Sequence, residues 1–241
     1  MKAFIFAAGL GSRLRPLTND RPKALVEVAG KTLLQHAIEY LQQQGIDDLV
    51  VNIHHFGELV LEYLAEHGNF GSQIQVSDER SALLETGGAL VQAASLLAGT
   101  APIVLYNVDV LTNLDLRKML QVHQAQNTLA TLAIRKRESS RYLLFDAQNR
   151  LSGWQNTKTG AKRLERPQPD LQPYAFSGIH IINPSLLELL PKQPSKFSIT
   201  PAYLDLATQH SILGYVHDQD YWFDVGKPER LEMATAFLRS L

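Results

Sequence analysis

The residues with the clearest chemical potential stand together in the first two dozen positions. Gly9-Leu10-Gly11-Ser12-Arg13-Leu14-Arg15 follows directly on an almost unbroken apolar run, 2–8, that ends in Ala7-Ala8. Glycines let a backbone turn sharply and approach a ligand closely, and successive exposed N–H groups then form a concave anion site. Arg13, Arg15, Arg21 and Lys23 add positive charge round that turn, and Pro16 and Pro22 stiffen the segment carrying it. Such a site suits a polyphosphate. Two familiar phosphate loops do not fit it. No Gly, four residues, Gly-Lys and Ser or Thr occurs in the chain, and Leu14 stands where a dinucleotide fingerprint needs a third small residue.

Two carboxylates follow farther along. Asp109 closes the apolar run 102–106 through Asn107-Val108, and Asp224 follows Trp222-Phe223 just before Val225-Gly226 and a helical stretch. An acidic side chain just past a strand stands where open α/β sheets bind ligands, and it can equally be a plain turn or helix cap. Other chemistries lack their residues. There is no cysteine, so neither a disulfide nor a thiolate metal site can form; His54-His55 has no spaced partners for zinc; and no Gly-x-Ser-x-Gly elbow is present.

The elements that must position these groups can be read from periodicity. The run 2–8 predicts a strand buried on both faces of a parallel sheet. From Thr32, a natural N-cap, Leu34, Ala37, Ile38 and Leu41 recur at helical spacing until Gly45. A strand at 48–53, a helix at 58–67 and a strand at 73–77 follow. Glu85-Thr86-Gly87-Gly88 predicts a glycine-rich turn into an apolar helix at 89–97, whose first N–H groups would be free for an anion or a base carbonyl. After the strand at 102–106, Asp115 caps a helix to about 126, and 128–134 is β-branched and strand-like. The charged stretch 135–141 reads as a solvated turn. Short strands at 142–145, 151–154 and 175–182 predict an antiparallel extension, with short helices at 184–190 and 201–208 and a strand at 211–217. The expectation is an α/β fold: a Rossmann-like, mostly parallel mixed sheet flanked by helices, with a small antiparallel extension. One domain, 1–241, is expected, its first part, to 127, carrying the glycine-rich loop and the remainder the antiparallel extension.

Composition sets outer limits. The chain has 241 residues and a formal charge of −1, which argues against a general nucleic-acid binder. No apolar run approaches the ~18 residues of a membrane span, and Met1 leads straight into a strand, so a cytoplasmic enzyme with no membrane partner is expected. No feature of the sequence sets an oligomeric state.

Gly-x-Gly-x-Arg-Leu, then Pro-Leu-Thr and Pro-Lys, all behind an apolar strand and Ala-Ala, is a long composite pattern. It closely resembles the signature of the sugar-1-phosphate nucleotidyltransferases, the NDP-sugar pyrophosphorylases with the nucleotide-diphospho-sugar transferase fold. Residues 85–88, 107–109 and 222–231 extend the likeness. The resemblance implies that a nucleoside triphosphate and a sugar 1-phosphate give a nucleotide sugar and pyrophosphate. It implies nucleotide contacts at Ala7, Ala8, Gly9, Gly11, Ser12, Arg13, Glu85, Gly88 and Asn107, and sugar-phosphate contacts at Lys23, Gly153, Glu165, Arg166 and Gly178. Arg13, Lys23 and Asp109 would be catalytic, Arg13 helping pyrophosphate leave and Lys23 bridging the reacting phosphates. Asp109 and Asp224 would hold Mg²⁺, a hard cation suited to paired carboxylate oxygens between phosphates.

This chain departs from the family pattern at two points. Val108 stands where Gly usually precedes the metal aspartate, and Arg166 stands where many members carry lysine, replacing a point charge by a planar fork. The short form, without a C-terminal β-helix domain, looks most like N-acetylmuramic acid 1-phosphate uridylyltransferases, which makes UTP the expected donor. Mannose- or heptose-1-phosphate guanylyltransferases come close behind. A phosphocholine cytidylyltransferase would need an aromatic or acidic cage, to which Trp154 and Tyr174 could contribute. A non-catalytic nucleotide-sugar-binding subunit would be expected to lose Arg13, Lys23, Asp109 or Asp224, and all four are present.

Overall fold

The computed structural model describes residues 1–193 and 195–241. Strand β1 (Lys2–Phe6) takes the middle of the sheet. A short hairpin, β2 (Glu27–Val28) and β3 (Lys31–Thr32), leads into helix α1 (Leu33–Gln43), and the Thr32 hydroxyl caps it by accepting the Gln35 N–H at 3.0 Å. The chain then alternates β4 (Asp48–Ile53), α2 (Gly57–Glu66), β5 (Gln73–Asp78), α3 (Glu85–Gln92) and β6 (Ile103–Asn107). Strand β7 (Val110–Thr112) and helix α4 (Leu116–Ala125) follow, and the Asp115 carboxylate caps α4 by accepting from the N–H groups of Arg117 and Lys118.

The second half is mostly strand: β8 (Ala130–Arg135), β9 (Arg141–Phe145), β10 (Leu151–Asn156), β11 (Lys162–Leu164) and the long β12 (Gln172–Ile182). Helices α5 (Ser185–Leu189) and α6 (Ile199–Leu206), strands β13 (Ile212–Val216) and β14 (Trp222–Asp224), and helix α7 (Pro228–Leu238) complete it.

The main sheet runs β11-β10-β9-β12-β6-β1-β4-β5, with β8 pairing β12 and β13. Strands β6, β1, β4 and β5 are parallel, and β12 turns the sheet antiparallel at β6. The length of β12 serves two purposes: residues 172–174 pair β9, and residues 175–182 pair β8, with a register shift between Phe176 and His180 where Gly178 takes a φ of 79°. The expected mixed sheet and antiparallel extension are both present. Alternation along β1 explains the layering, since Ala3 and Ile5 enter one core with Leu34, Ile38 and Val104, while Phe4 enters the opposite core with Leu90, Leu105 and Ile182. The chain leaves β1 for β4 and β5 and returns to β6 on the other side, so the crevice at the carboxyl ends of β1 and β6 is a topological switch point, the place where such sheets bind ligands.

Several elements differ from expectation: β7 and β11 were not expected, β12 begins at Gln172 rather than 175, and helix α3 begins at Glu85, four residues before the expected 89, takes in Gly87 and Gly88 and ends at Gln92 rather than 97. A Cβ on Gly87 would meet the Phe197 ring at 2.2 Å, and one on Gly88 would meet the Ser195 carbonyl at 2.0 Å. These glycines let the segment before α6 lie directly on α3.

Candidate active site

The first cavity, about 340 Å³, opens at that switch point and is lined by Ala8, Gly9, Asn52, Glu79, Glu85 and Asn107 among others. A Cβ on Gly9 would meet nothing within 4 Å, so the space above its backbone is free for a ligand. Below the loop, Asn52 at the end of β4 accepts the N–H of Ala7 at 2.6 Å and of Ala8 at 3.1 Å through one side-chain oxygen. Its amide nitrogen donates to Glu79 Oε1 at 2.7 Å, and the other Glu79 oxygen faces the Leu84 N–H at 3.4 Å. Asn52 and Glu79 are both buried, and burial raises the Glu79 carboxyl above its ordinary pKa despite its hydrogen bonds. Gly11 has a φ of 62°, and a Cβ there would come within 2.9 Å of Lys23 Cβ and Thr18 Cγ2, so the second glycine of the motif allows Lys23 to pack beneath the turn. Ser12 begins the short helical turn 12–14 that carries Arg13.

Lys23 is buried and its ammonium pairs with Asp109 Oδ2. The pairing of β7 with β14 sets Asp224 opposite Val110, and the Val225 N–H donates to the Asp109 carbonyl at 2.8 Å, which draws the two aspartates together from residues 115 positions apart in sequence. Burial and the Asp109 charge push the Asp224 carboxyl up, while Lys23, Arg13 and Arg137 pull the other way. Asp224 Oδ1 is buried without a hydrogen-bond partner. Among the described residues no group of three or more His, Cys, Asp or Glu could hold a metal by itself. An orphaned carboxylate oxygen beside a second carboxylate fits a hard divalent cation whose remaining ligands come from phosphate and water.

A second cavity of about 1050 Å³ lies beyond Asp224, lined by Arg137, Arg141, Trp154, Arg163, Ser198 and Lys227 among others. Ser198 also lines the first cavity, so the two meet there. Arg13 lines the second cavity and not the first, with its guanidinium over Gly226: a Cβ at Gly226 would be 2.8 Å from Arg13 Nη2 and 2.7 Å from Asp224 Oδ1.

The structure thus brings together Ala7, Ala8, Gly9, Gly11, Ser12, Lys23, Glu85, Asn107, Asp109, Asp224 and Arg13, and it treats five other expected residues differently. Gly88 is a packing glycine: its N–H and that of Gly87 donate to the Phe197 carbonyl at 3.3 and 2.9 Å, so these groups are spent within the protein, and Glu85 and Thr86 line the cavity in its place. Gly178 packs against Asn107, whose amide nitrogen would lie 2.8 Å from a Cβ there. Gly153 lets β10 approach β11, its Cβ position lying 2.5 Å from the Arg163 carbonyl. Glu165 pairs with the Arg163 guanidinium, and Arg166 donates its backbone N–H to Ser152 O at 3.1 Å; neither side chain is among those lining the two cavities, whereas Arg163 is.

Several site groups escaped the sequence reading. Stretch 135–141 is not merely a solvated turn, because Arg137 is half-buried, stacks 4.6 Å from the Trp222 ring centroid and has an Nε without a partner. Its signal was a cluster of arginines, at 135, 137 and 141, running on from an apolar strand. Asn52 and Glu79 had one too: a polar residue inside the apolar strand run 48–53, and an acid just past the alternating strand 73–77.

A family model described as Nucleotidyl transferase matches residues 2–240. N-acetylmuramate alpha-1-phosphate uridylyltransferase of Caulobacter vibrioides is 35% identical over 245 residues, covering 98% of this chain and 96% of that protein. The catalytic subunit beta of mannose-1-phosphate guanylyltransferase from Dictyostelium discoideum is 30% identical over 95% of this chain, which spans 62% of its length. In three dimensions the chain is similar to the crystal structure of HddC from Yersinia pseudotuberculosis, with a TM-score of 0.80 at 21% identity over 98% of this chain and 99% of that one. UDP-glucose pyrophosphorylase complexed with UDP-glucose gives 0.76 at 19% over 100% and 99%. At these identities the likeness is one of fold. No helix among the described residues is long and apolar enough to cross a membrane.

Proposed function

Because the chain belongs to the nucleotidyl transferase family, among the sugar-1-phosphate nucleotidyltransferases, we propose that it joins a uridylyl group from UTP to an N-acetylmuramate-type sugar 1-phosphate and releases pyrophosphate. The observation that carries this reading is the match to an uridylyltransferase over 96% of that protein's length, with Lys23, Asp109 and Asp224 gathered where the two cavities meet. The β1–β6 cavity takes the nucleotide and the arginine-lined cavity takes the acceptor.

A phosphate monoester has a second pKa of about 6, so the attacking sugar phosphate is already largely dianionic at neutral pH and requires no general base. What remains is to hold two polyanions in line and balance their charge. The Gly9 loop, held from below by Asn52, receives the triphosphate on its backbone N–H groups. Lys23 stands between the reacting phosphates, and Arg13 meets phosphate charge at the Asp224 wall. Asp109 and Asp224 would hold Mg²⁺, which supplies positive charge to phosphate oxygens when bound. A guanylyl reading is favoured by the mannose-1-phosphate guanylyltransferases, 28–30% identical to this chain.

Pyrophosphate release with Mg²⁺, crossing UTP, GTP, CTP, ATP and dTTP against a panel of sugar 1-phosphates and phosphocholine, tests the proposal. Release with UTP and N-acetylmuramic acid 1-phosphate is expected. Release with GTP and a neutral sugar replaces the finer reading, and silence across the panel removes both.

A further inference from the structure

The arms that carry Asp109 and Asp224 rest on one irregular point of the sheet. Strand β12 loses its ladder at Ser177-Gly178, between the register with β8 that ends at Phe176 and the one that resumes at His180. Pairing with β6 begins at Ile179 and pairing with β9 ends at Tyr174, so among the described residues neither Ser177 nor Gly178 has a strand partner. A bulge of this kind turns backbone groups out of the ladder and re-aims what lies beside it. Gly178 packs under the arm of Asp109: a Cβ there would lie 2.8 Å from Asn107 Nδ2 and 3.0 Å from Val110 Cγ2, on either side of the 108–109 turn. Ser177 holds the arm of Asp224, since its carbonyl accepts the Trp222 Nε1–H at 2.9 Å.

That second hold matters because the arm is short. Strand β14 has three residues and pairs with β7 in a two-stranded ribbon outside the main sheet. Tyr106 Oη donates to the Val110 carbonyl at 2.6 Å and ties the β7 side of the ribbon to β6, while Trp222 ties the β14 side to β12. Arg137 sits 4.6 Å from the centroid of the same indole and donates to the Phe176 carbonyl at 3.0 Å, so the carbonyls of 176 and 177 are both occupied.

Ser177 is fixed through its side chain as well. Its hydroxyl lies 2.7 Å from Nε2 of His217, just past β13, and both residues are buried. Burial holds the His217 ring at about 4, so it is neutral at pH 7. Among the described residues its Nδ1 has no hydrogen-bond partner, but it faces Asp220 Oδ2 at 3.5 Å. The carboxylate favours the proton on Nδ1 and leaves Nε2 to accept from the Ser177 hydroxyl. Neither Ser177 nor His217 lines the nucleotide or the acceptor cavity. A satisfied polar pair buried away from ligand fixes geometry.

We propose that the Ser177-Gly178 bulge, locked by His217, sets the spacing of Asp109 and Asp224, and that Trp222 is the positioning residue that carries this setting to Asp224. The proposal rests on the metal-assisted transfer set out above, and His217, Ser177 and Trp222 act in it through the carboxylate alone.

The test is Mn²⁺ binding to the enzyme with UTP and no acceptor, read by water-proton relaxation, in wild type and in variants of the three residues. Trp222→Phe keeps a ring beneath Arg137 and removes the N–H, and Mn²⁺ affinity is expected to fall about tenfold, the scale of one lost hydrogen bond passed on to the carboxylate. Ser177→Ala is expected to weaken it roughly threefold, while His217→Gln, whose amide can still donate to the Ser177 hydroxyl, stays near wild type. In turnover, the Mg²⁺ concentration at half-maximal rate should rise by the same factors, with KM for the sugar phosphate unmoved at saturating Mg²⁺. A urea midpoint that falls in Trp222→Phe and Ser177→Ala with Mn²⁺ affinity unchanged makes the lock merely structural and overturns the proposal. Asp224→Asn separates the two possible failures. If it weakens Mn²⁺ binding and Trp222→Phe does not, the positioning role alone falls; if neither does, the metal role of Asp224 falls with it.

Discussion

The two cavities solve the handling of polyanions in opposite ways. On the nucleotide side the groups behind the loop are tied to one another: Ala7 and Ala8 give their N–H groups to Asn52, Asn52 gives its amide to Glu79, and Glu79 faces the Leu84 N–H. On the acceptor side groups are left open, with Asp224 Oδ1 and Arg137 Nε buried and unpartnered and the cations Arg13, Arg135, Arg137, Lys227 and Arg230 outnumbering the acids Glu138 and Asp224. A loop that works through backbone N–H groups must be held rigid from behind, because main-chain donors cannot be re-aimed by a rotamer change. A site that works through arginines can leave its charge to be balanced by what it binds. The first side is finished without its ligand, and the second is finished by it.

The sharpest way to break this comparison lies on the seam between the two sides. Lys23→Ala and Asp109→Asn are each expected to lower kcat by at least ~100-fold, the scale for losing one preorganised electrostatic contact at a reacting phosphate. Either change leaves a carboxylate or an ammonium without its partner, so circular dichroism and a urea midpoint should accompany the kinetics. Wild-type turnover in a folded variant would mean that the chemistry sits elsewhere.

What was legible in the sequence follows the same division. Strand β1 and the Gly9–Lys23 loop are contiguous, so their apolar run, glycines and cations could be read together, and β4 was read at 48–53 from its apolar Leu49-Val50-Val51 and Ile53 despite Asn52. Asp109 and Asp224 were legible because one stands just past the β6 strand run and the other closes an aromatic strand end before a glycine turn. The acceptor cavity was not, since Arg137, Trp154, Arg163, Ser198 and Lys227 come from five separate segments and meet only through the bend of β12 and the packing of residues 195–199 on α3. Gly87-Gly88 misled for a physical reason: glycine pairs mark both free helix ends and close approaches of backbone, and here the partner that fills the space lies more than a hundred residues away at Phe197.

A second experiment sharpens the contrast between a rigid and an open side. Asn52→Ala leaves two buried N–H groups and the Glu79 carboxylate without their partner, at about 1–3 kcal/mol for each unsatisfied group. Part of that returns as loosening of the loop, and KM for the nucleotide is expected to rise roughly tenfold, the equivalent of about 1.4 kcal/mol. KM for the sugar phosphate should move much less. Glu79→Gln retains an oxygen to accept from Asn52 and should stay near wild type. Equal increases in both KM values for Asn52→Ala would show that the two sides are not independently built.

The mildest expected difference is in response to acid, and it too divides the molecule. His180 and His217 are buried in the acceptor half and His123 on α4, which packs against β8, β12 and β13 of that half; His123 meets Thr131 Oγ1 at 3.0 Å, His180 meets Tyr203 Oη at 2.5 Å and His217 meets Ser177 Oγ at 2.7 Å. Burial holds His123 and His217 down at about 4 and His180 down at about 3. The unfolded chain, with histidines near 6.5, therefore binds more protons than the folded one between these values and 6.5. Unfolding free energy must rise with pH through that window, so this stability is full above about 6.5 and is lost as pH falls towards 4. Between pH 7 and 5 the loss is on the order of 1–2 kcal/mol for each histidine. The raised carboxyls of Glu79 and Asp224 act in the opposite sense, and mainly nearer the carboxylate range. The other histidines of the first 127 residues, His36, His54, His55 and His67, lie at half-buried or exposed positions. Urea midpoints at pH 7 and 5 should therefore fall in wild type, fall less in His123→Gln and His217→Gln, whose amides can keep a hydrogen bond to the same hydroxyls, and fall unchanged in His55→Gln. A midpoint indifferent to pH, or a His55→Gln variant that abolishes the fall, would remove the division.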